Sequence, residues 1–170
     1  LVAIVTTGLT FAQSYITKNI SSSNTQNQIQ NNMQMPGGQG ETASNITYTA
    51  NKEISEDSTI ENGEYSSTTS NENAIIVTGD VDVNLSNITV DKTGDSDGGD
   101  SSNFYGNNSA ILAKNGANLT TKNATITTEA DGANGVFSYG GSATTNNSSS
   151  DGTTITISDS TITTTGDNAG

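Results

Sequence analysis

Residues 81–90 read VDVNLSNITV, residues 119–128 read LTTKNATITT, and residues 155–164 read ITISDSTITT. Each string opens on an apolar residue (Val81, Leu119, Ile155), usually carries a second two positions on, and reaches Ile88, Ile126 or Ile162 five beyond that. Side chains alternate across a strand with period two, so these spacings collect the apolar residues on one face of short strands. A fainter copy precedes them at residues 60–67, with Tyr65 in the place of Ile88.

A second string sits upstream in each unit: Ala74-Ile-Ile-Val77 matches Ala110-Ile-Leu-Ala113 and Gly135-Val-Phe-Ser138. The distance from Tyr65 to Ala74 is nine residues, and from Ile126 to Gly135 it is nine again. The full repeats are longer and unequal because of two insertions, Asp91–Asn107 and Gly140–Gly152. Strings that persist while the stretches between them vary in length are the mark of a stacked coil with projecting loops. No single turn can bury its Ile and Val, but stacking places Ile88, Ile126 and Ile162 in one internal column and Val81, Leu119 and Ile155 in another. Gly and Asn fall at the corners, where left-handed backbone is needed. The expected fold is an all-β parallel solenoid. Gly170 falls where a further turn would begin, so the reading expects the coil to be incomplete at its C-terminal end, with an open strand edge through which copies self-associate.

Composition agrees. Only 29% of the 170 residues are hydrophobic and 5% aromatic, too thin for a hub-like core but enough for a narrow coil. The formal net charge is −13, with five lysines and no arginine. Such a chain is repelled by phosphate backbones, which excludes nucleic acid as a partner. Without cysteine or histidine it has no disulfide, thiolate nucleophile, imidazole base or usual zinc site.

Residues 1–13 contain the sustained apolar run LVAIVTTGLTFA, which is too short to span a bilayer and reads as the remnant of a secretion signal. The competing reading is a buried strand or docking helix. Residues 14–42 are rich in Gln, Asn and Gly, with the single proline at Pro36, and read as a polar linker. Residues 43–170 hold the solenoid turns.

The run from Gly63 to Gly141, together with DGTTITISDSTITTTGDNAG at 151–170, resembles the adhesin-like β-helix surface proteins of anaerobic, Clostridia-type gut bacteria. The segments Ser101–Gly106 (SSNFYG) and Gly135–Gly141 (GVFSYGG) carry the resemblance most specifically. It implies a right-handed parallel β-helix, extracellular display, and a structural or adhesive role.

Three surfaces are candidates for function. Asp91, Asp95, Asp97 and Asp100 crowd the first insertion, and acidic residues among glycines are what Ca²⁺ takes as oxygen ligands; the alternative is a loop kept solvated by its charge. Phe104, Tyr105, Phe137 and Tyr139 lie near the two insertions and offer faces on which a pyranose ring stacks. The competing reading has Phe104 and Phe137 capping the core, leaving Tyr105 and Tyr139 as the better ligand contacts. Thr125-Ile-Thr127, Thr154-Ile-Thr156 and Thr161-Ile-Thr163 put threonine pairs on an outer face, as in ice-binding solenoids; β-branched preference for strands explains them equally well. Lys92 beside the acidic loop reads as a surface lysine. The expectation is a secreted or cell-surface, non-catalytic, adhesin-like solenoid with host or cell-wall glycans as partners. The alternatives are a carbohydrate-binding or polysaccharide-degrading module and an ice-binding solenoid.

Overall fold

A computed structural model describes residues 46–97, 99–140 and 150–170; the segments 1–13 and 14–42 lie outside the described residues. Among the described residues twelve strands run in order: β1 Thr49–Ile54, β2 Ser58–Glu61, β3 Glu64–Ser67, β4 Glu72–Thr78, β5 Asp82–Ser86, β6 Thr89–Lys92, β7 Ser109–Lys114, β8 Asn118–Lys122, β9 Thr125–Glu129, β10 Asn134–Tyr139, β11 Thr154–Ser158 and β12 Thr161–Thr165. Each pairs in parallel with the strand three places along the chain. The result is three four-stranded sheets: β1-β4-β7-β10 (sheet A), β2-β5-β8-β11 (sheet B) and β3-β6-β9-β12 (sheet C). Three strands therefore make one turn of a solenoid-like stack. Among the described residues, no helix is long and apolar enough to cross a membrane.

The corners show why the chain bends where it does. Between sheets B and C each turn has a two-residue corner whose first residue is left-handed: Asn62 (φ 59°), Asn87 (53°), Asn123 (54°) and Asp159 (52°). Asn and Asp tolerate this region best among non-glycine residues. Their backbone N–H groups reach the turn above: Asn62 to Ser86 O at 3.0 Å, Asn87 to Lys122 O at 3.0 Å, Asn123 to Ser158 O at 3.2 Å. The corner thus stays hydrogen-bonded although the strand has ended.

This column corrects the alignment read from the strings. Val83, not Val81, pairs with Leu119, which pairs with Ile155. Val90, not Ile88, stacks on Ile126 and Ile162, and Tyr65 pairs with Val90. The strings are offset by two residues. A slip of two keeps every side chain on its own face, so apolar spacing cannot tell the two registers apart. The second string is in register as read, with Ile75 beside Ile111 and Ile111 beside Val136.

The inward faces form one core: Ile54, Ile75, Val77, Ile111 and Ala113 from sheet A, Val83, Leu85 and Leu119 from sheet B, Val90 and Ile126 from sheet C. Each Val, Leu and Ile side chain among them contributes about 1.5–3 kcal/mol when removed from water. In the last turn this cover is missing: Ile157 and Ile162 are 36% and 43% exposed.

The two insertions leave from different corners. Residues 93–108 join β6 to β7 at the C–A corner; Asp91 and Lys92, expected in this loop, belong to β6. Residues 140–153 join β10 to β11 at the A–B corner, and only 140 and 150–153 of these are described. The first insertion contains a six-residue helix, α1 (Asp100–Tyr105), ended by left-handed Gly106. Sequence periodicity shows no helix here, because one and a half turns are too short to display it. In sheet A the side chains on both faces of β4 and β7 are buried: Ile76 and Leu112, which alternate with the core residues, are 4% and 0% exposed.

Candidate functional site

The aromatic residues gather beside the outer side of sheet A. Tyr105 closes α1, and its ring meets that of Tyr139, at the end of β10, edge to face, with centroids 5.6 Å apart and an interplanar angle of 76°. Tyr48, immediately before β1, donates its hydroxyl to Tyr105 O at 2.8 Å. Lys114, which pairs with Tyr139 in sheet A, holds its Nζ 3.6 Å from the centre of the Tyr48 ring. Gly106 lets α1 approach, since a Cβ there would stand 2.6 Å from Phe137 Cδ1 and 2.9 Å from Leu112 Cδ1.

Of the four aromatic candidates, the structure brings Tyr105 and Tyr139 into contact and uses Phe137 as the floor under Gly106. Phe104 does not cap the core as one reading has it. It is 65% exposed, because its place on α1 faces away from the coil. Tyr48 and Lys114 belong to the cluster and were not foreseen. Lys114 was legible in part, since it directly follows the string Ala110–Ala113 as Tyr139 directly follows the aligned string Gly135–Ser138; Tyr48 meets Tyr105 across 57 residues, and no local pattern marks it.

The surroundings of Tyr48 and Tyr139 keep these two phenols neutral. Burial, with the neighbouring Tyr139 and Tyr105 phenols, pushes the Tyr48 hydroxyl well above its ordinary value. Burial, then Tyr105 and Asp151, moves Tyr139 the same way. Burial lowers the Lys114 amine, and the Glu53 carboxylate opposes that shift. The cluster is therefore a set of uncharged rings and hydroxyl groups around one partly desolvated amine, a surface suited to stacking and hydrogen bonding.

The aspartates of the first insertion have other tasks. Asp95 Oδ1 accepts the Asp131 N–H at 2.9 Å, and Asp131 Oδ1 accepts that of Asp167 at 2.8 Å, a ladder climbing the C–A corner. Asp97 Oδ2 accepts from Asn71 Nδ2 at 2.7 Å, while its own N–H goes to Asn71 Oδ1 at 3.0 Å. Asp91 points outward from β6, and Asp100 lies in the first turn of α1. Among the described residues no three acidic side chains gather to hold a metal ion, so these four are not brought together as a Ca²⁺ site.

Two further surfaces bear on function. Glu64, Tyr65, Ser66, Thr89 and Asp91 line a recess of about 410 Å³ on sheet C. Thr125 and Thr127 stack in register on Thr161 and Thr163, but one turn earlier Asp91 stands in the second threonine position and interrupts the array. Lys92, read as a surface lysine, is fully buried (0% exposed): it occupies the inward position between Ser67 and Thr128 in sheet C.

No protein-family profile matches this chain, and neither a curated protein nor a solved structure does.

Proposed function

We propose that the protein is a secreted or cell-surface, non-catalytic, adhesin-like β-helix that binds glycans of a host or of a cell wall through the aromatic surface on α1 and β10. One observation carries the reading: an exposed Phe104 beside the Tyr105–Tyr139 pair, mounted on a stack of parallel sheets. Rings fixed by a rigid scaffold lose little entropy when a sugar stacks on them. The Tyr48 and Tyr139 phenols stay uncharged, and a chain of net charge −13 carries no long-range repulsion toward a neutral polymer. A right-handed coil belongs to the same reading, since parallel crossover connections are right-handed in nearly every known case.

The test is titration with cellohexaose, xylohexaose and N-acetylchitohexaose, using the wild type and a Phe104→Ala, Tyr105→Ala double variant. Saturable binding that the double variant loses supports the reading. Equal binding by both proteins, or none by the wild type, overturns it.

A further inference from the structure

A buried lysine needs a reason, because the charged form is costly to remove from water unless its donors are met. The Lys92 amine donates to Thr69 O at 3.0 Å and to Gly94 O. Asn108, also 0% exposed, donates Nδ2 to the same Gly94 oxygen at 2.9 Å. Gly94 and Asn108 stand at the two ends of the insertion that carries α1, so one carbonyl oxygen joins both ends. Thr69 belongs to the corresponding corner one turn earlier, and it ties that junction to the stack. Gly94 alone fits this place: a Cβ would lie 2.4 Å from the Thr69 carbonyl and 2.8 Å from Lys92 Nζ. The exit is held as well, with Ser109 N–H donating to Asn73 Oδ1 at 2.7 Å and Ser109 Oγ to Gly106 O at 2.8 Å.

We propose that Lys92 is a positioning residue: with Asn108 it closes the neck of the first insertion on the Gly94 carbonyl, and that closure sets α1 so that Tyr105 meets Tyr139 and Gly106 lies over Phe137, with Phe104 exposed on the same helix. Only the functional consequence rests on the glycan reading; the closure stands on its own geometry. Lys92 touches no ring of the cluster and acts through the loop it closes. Its loss differs from the loss of an ordinary core residue, which loosens the coil around it.

The experiment is amide hydrogen exchange on the full chain, comparing wild type with Lys92→Met, which keeps the bulk of the side chain and removes the donors. Expected is at least ~10-fold faster exchange in residues 99–106, with strands β8 and β9 within about twofold of wild type. Unchanged exchange at 99–106, or equal loosening of β8 and β9, overturns the proposal. Where Lys92→Met does not fold, Asn108→Ala is judged by the same two criteria. In parallel, whichever of the three hexasaccharides binds the wild type is titrated into the variant, and ~10-fold weaker binding is expected. If none binds the wild type, the glycan reading falls, and the exchange result alone decides the closure.

Discussion

Asn123 donates its side-chain amide to the Asn87 side chain of the neighbouring turn at 3.2 Å, and both residues hold left-handed backbone at the same corner. The column runs through all four turns, from Asn62 to Asp159. At Asn87 and Asn123 it joins conformation and register: residues that accept φ near 55° also bridge their two turns through their side chains.

Asn123→Ala is therefore expected to cost about 1–3 kcal/mol, from left-handed strain and the lost bridge. Asn123→Gly removes the bridge but relieves the strain, and should cost less than Asn123→Ala. Urea unfolding of the two variants checks the order; equal losses would show that backbone conformation is not what selects asparagine.

Core depth should grade the isoleucines of sheet C. Ile126 is 0% exposed and covered by turns on both sides, whereas Ile162 is 43% exposed. Ile126→Ala should lose about 2–5 kcal/mol through the cavity it leaves. Ile162→Ala should lose under about 1 kcal/mol. Denaturation midpoints decide it.

Lys92 should give the protein an alkaline gain in stability. Burial lowers its amine to about 8 from the ordinary 10.5, with Glu72 and Asp95 opposing the shift. Below pH 8 the amine is protonated in both folded and unfolded chains. Between 8 and 10.5 the unfolded chain binds more protons, so raising the pH favours the fold. By pH 9.5 the gain over pH 7 is about 2 kcal/mol. Lys92→Met should lack that increment, and urea midpoints of both proteins at the two pH values isolate it from the other titrating groups. The neutral amine keeps two N–H donors, enough for the Thr69 and Gly94 carbonyls.

The ring pair should matter for binding more than for stability. Tyr139→Ala loses an edge-to-face contact of about 0.5–1.5 kcal/mol, while leaving the strand ladder intact. The melting temperature should move by a few degrees at most, and hexasaccharide affinity should fall about tenfold or more. A large melting shift without loss of affinity would place Tyr139 in the packing alone.

Calcium and chelator should leave the melting temperature unchanged, because Asp95 and Asp97 are engaged with Asp131 and Asn71 and no three acidic groups converge among the described residues. A rise with millimolar calcium, abolished by chelator, would overturn that expectation.

Much of the architecture is legible in the residues themselves. The period of two in ITISDSTITT and its relatives determines strands with one apolar face, and the recurrence of the strings determines that they stack. These are local properties, set by alternation and by the conformations Asn and Gly accept. Register is different. A slip of two residues leaves every face as it was, so apolar spacing admits Val81 or Val83 beside Leu119, and only the left-handed corner column settles on Val83. The proposed binding surface is more distant still from the linear pattern. Tyr48 meets Tyr105 across 57 residues, Lys92 is buried because two corner carbonyls wait for its amine, and Phe104 is exposed because α1 turns it outward. Composition and periodicity act along the chain and determine the repeating coil. The contacts between an insertion and the sheet beneath it depend on the loop path through space, and that was decided only by the tertiary structure.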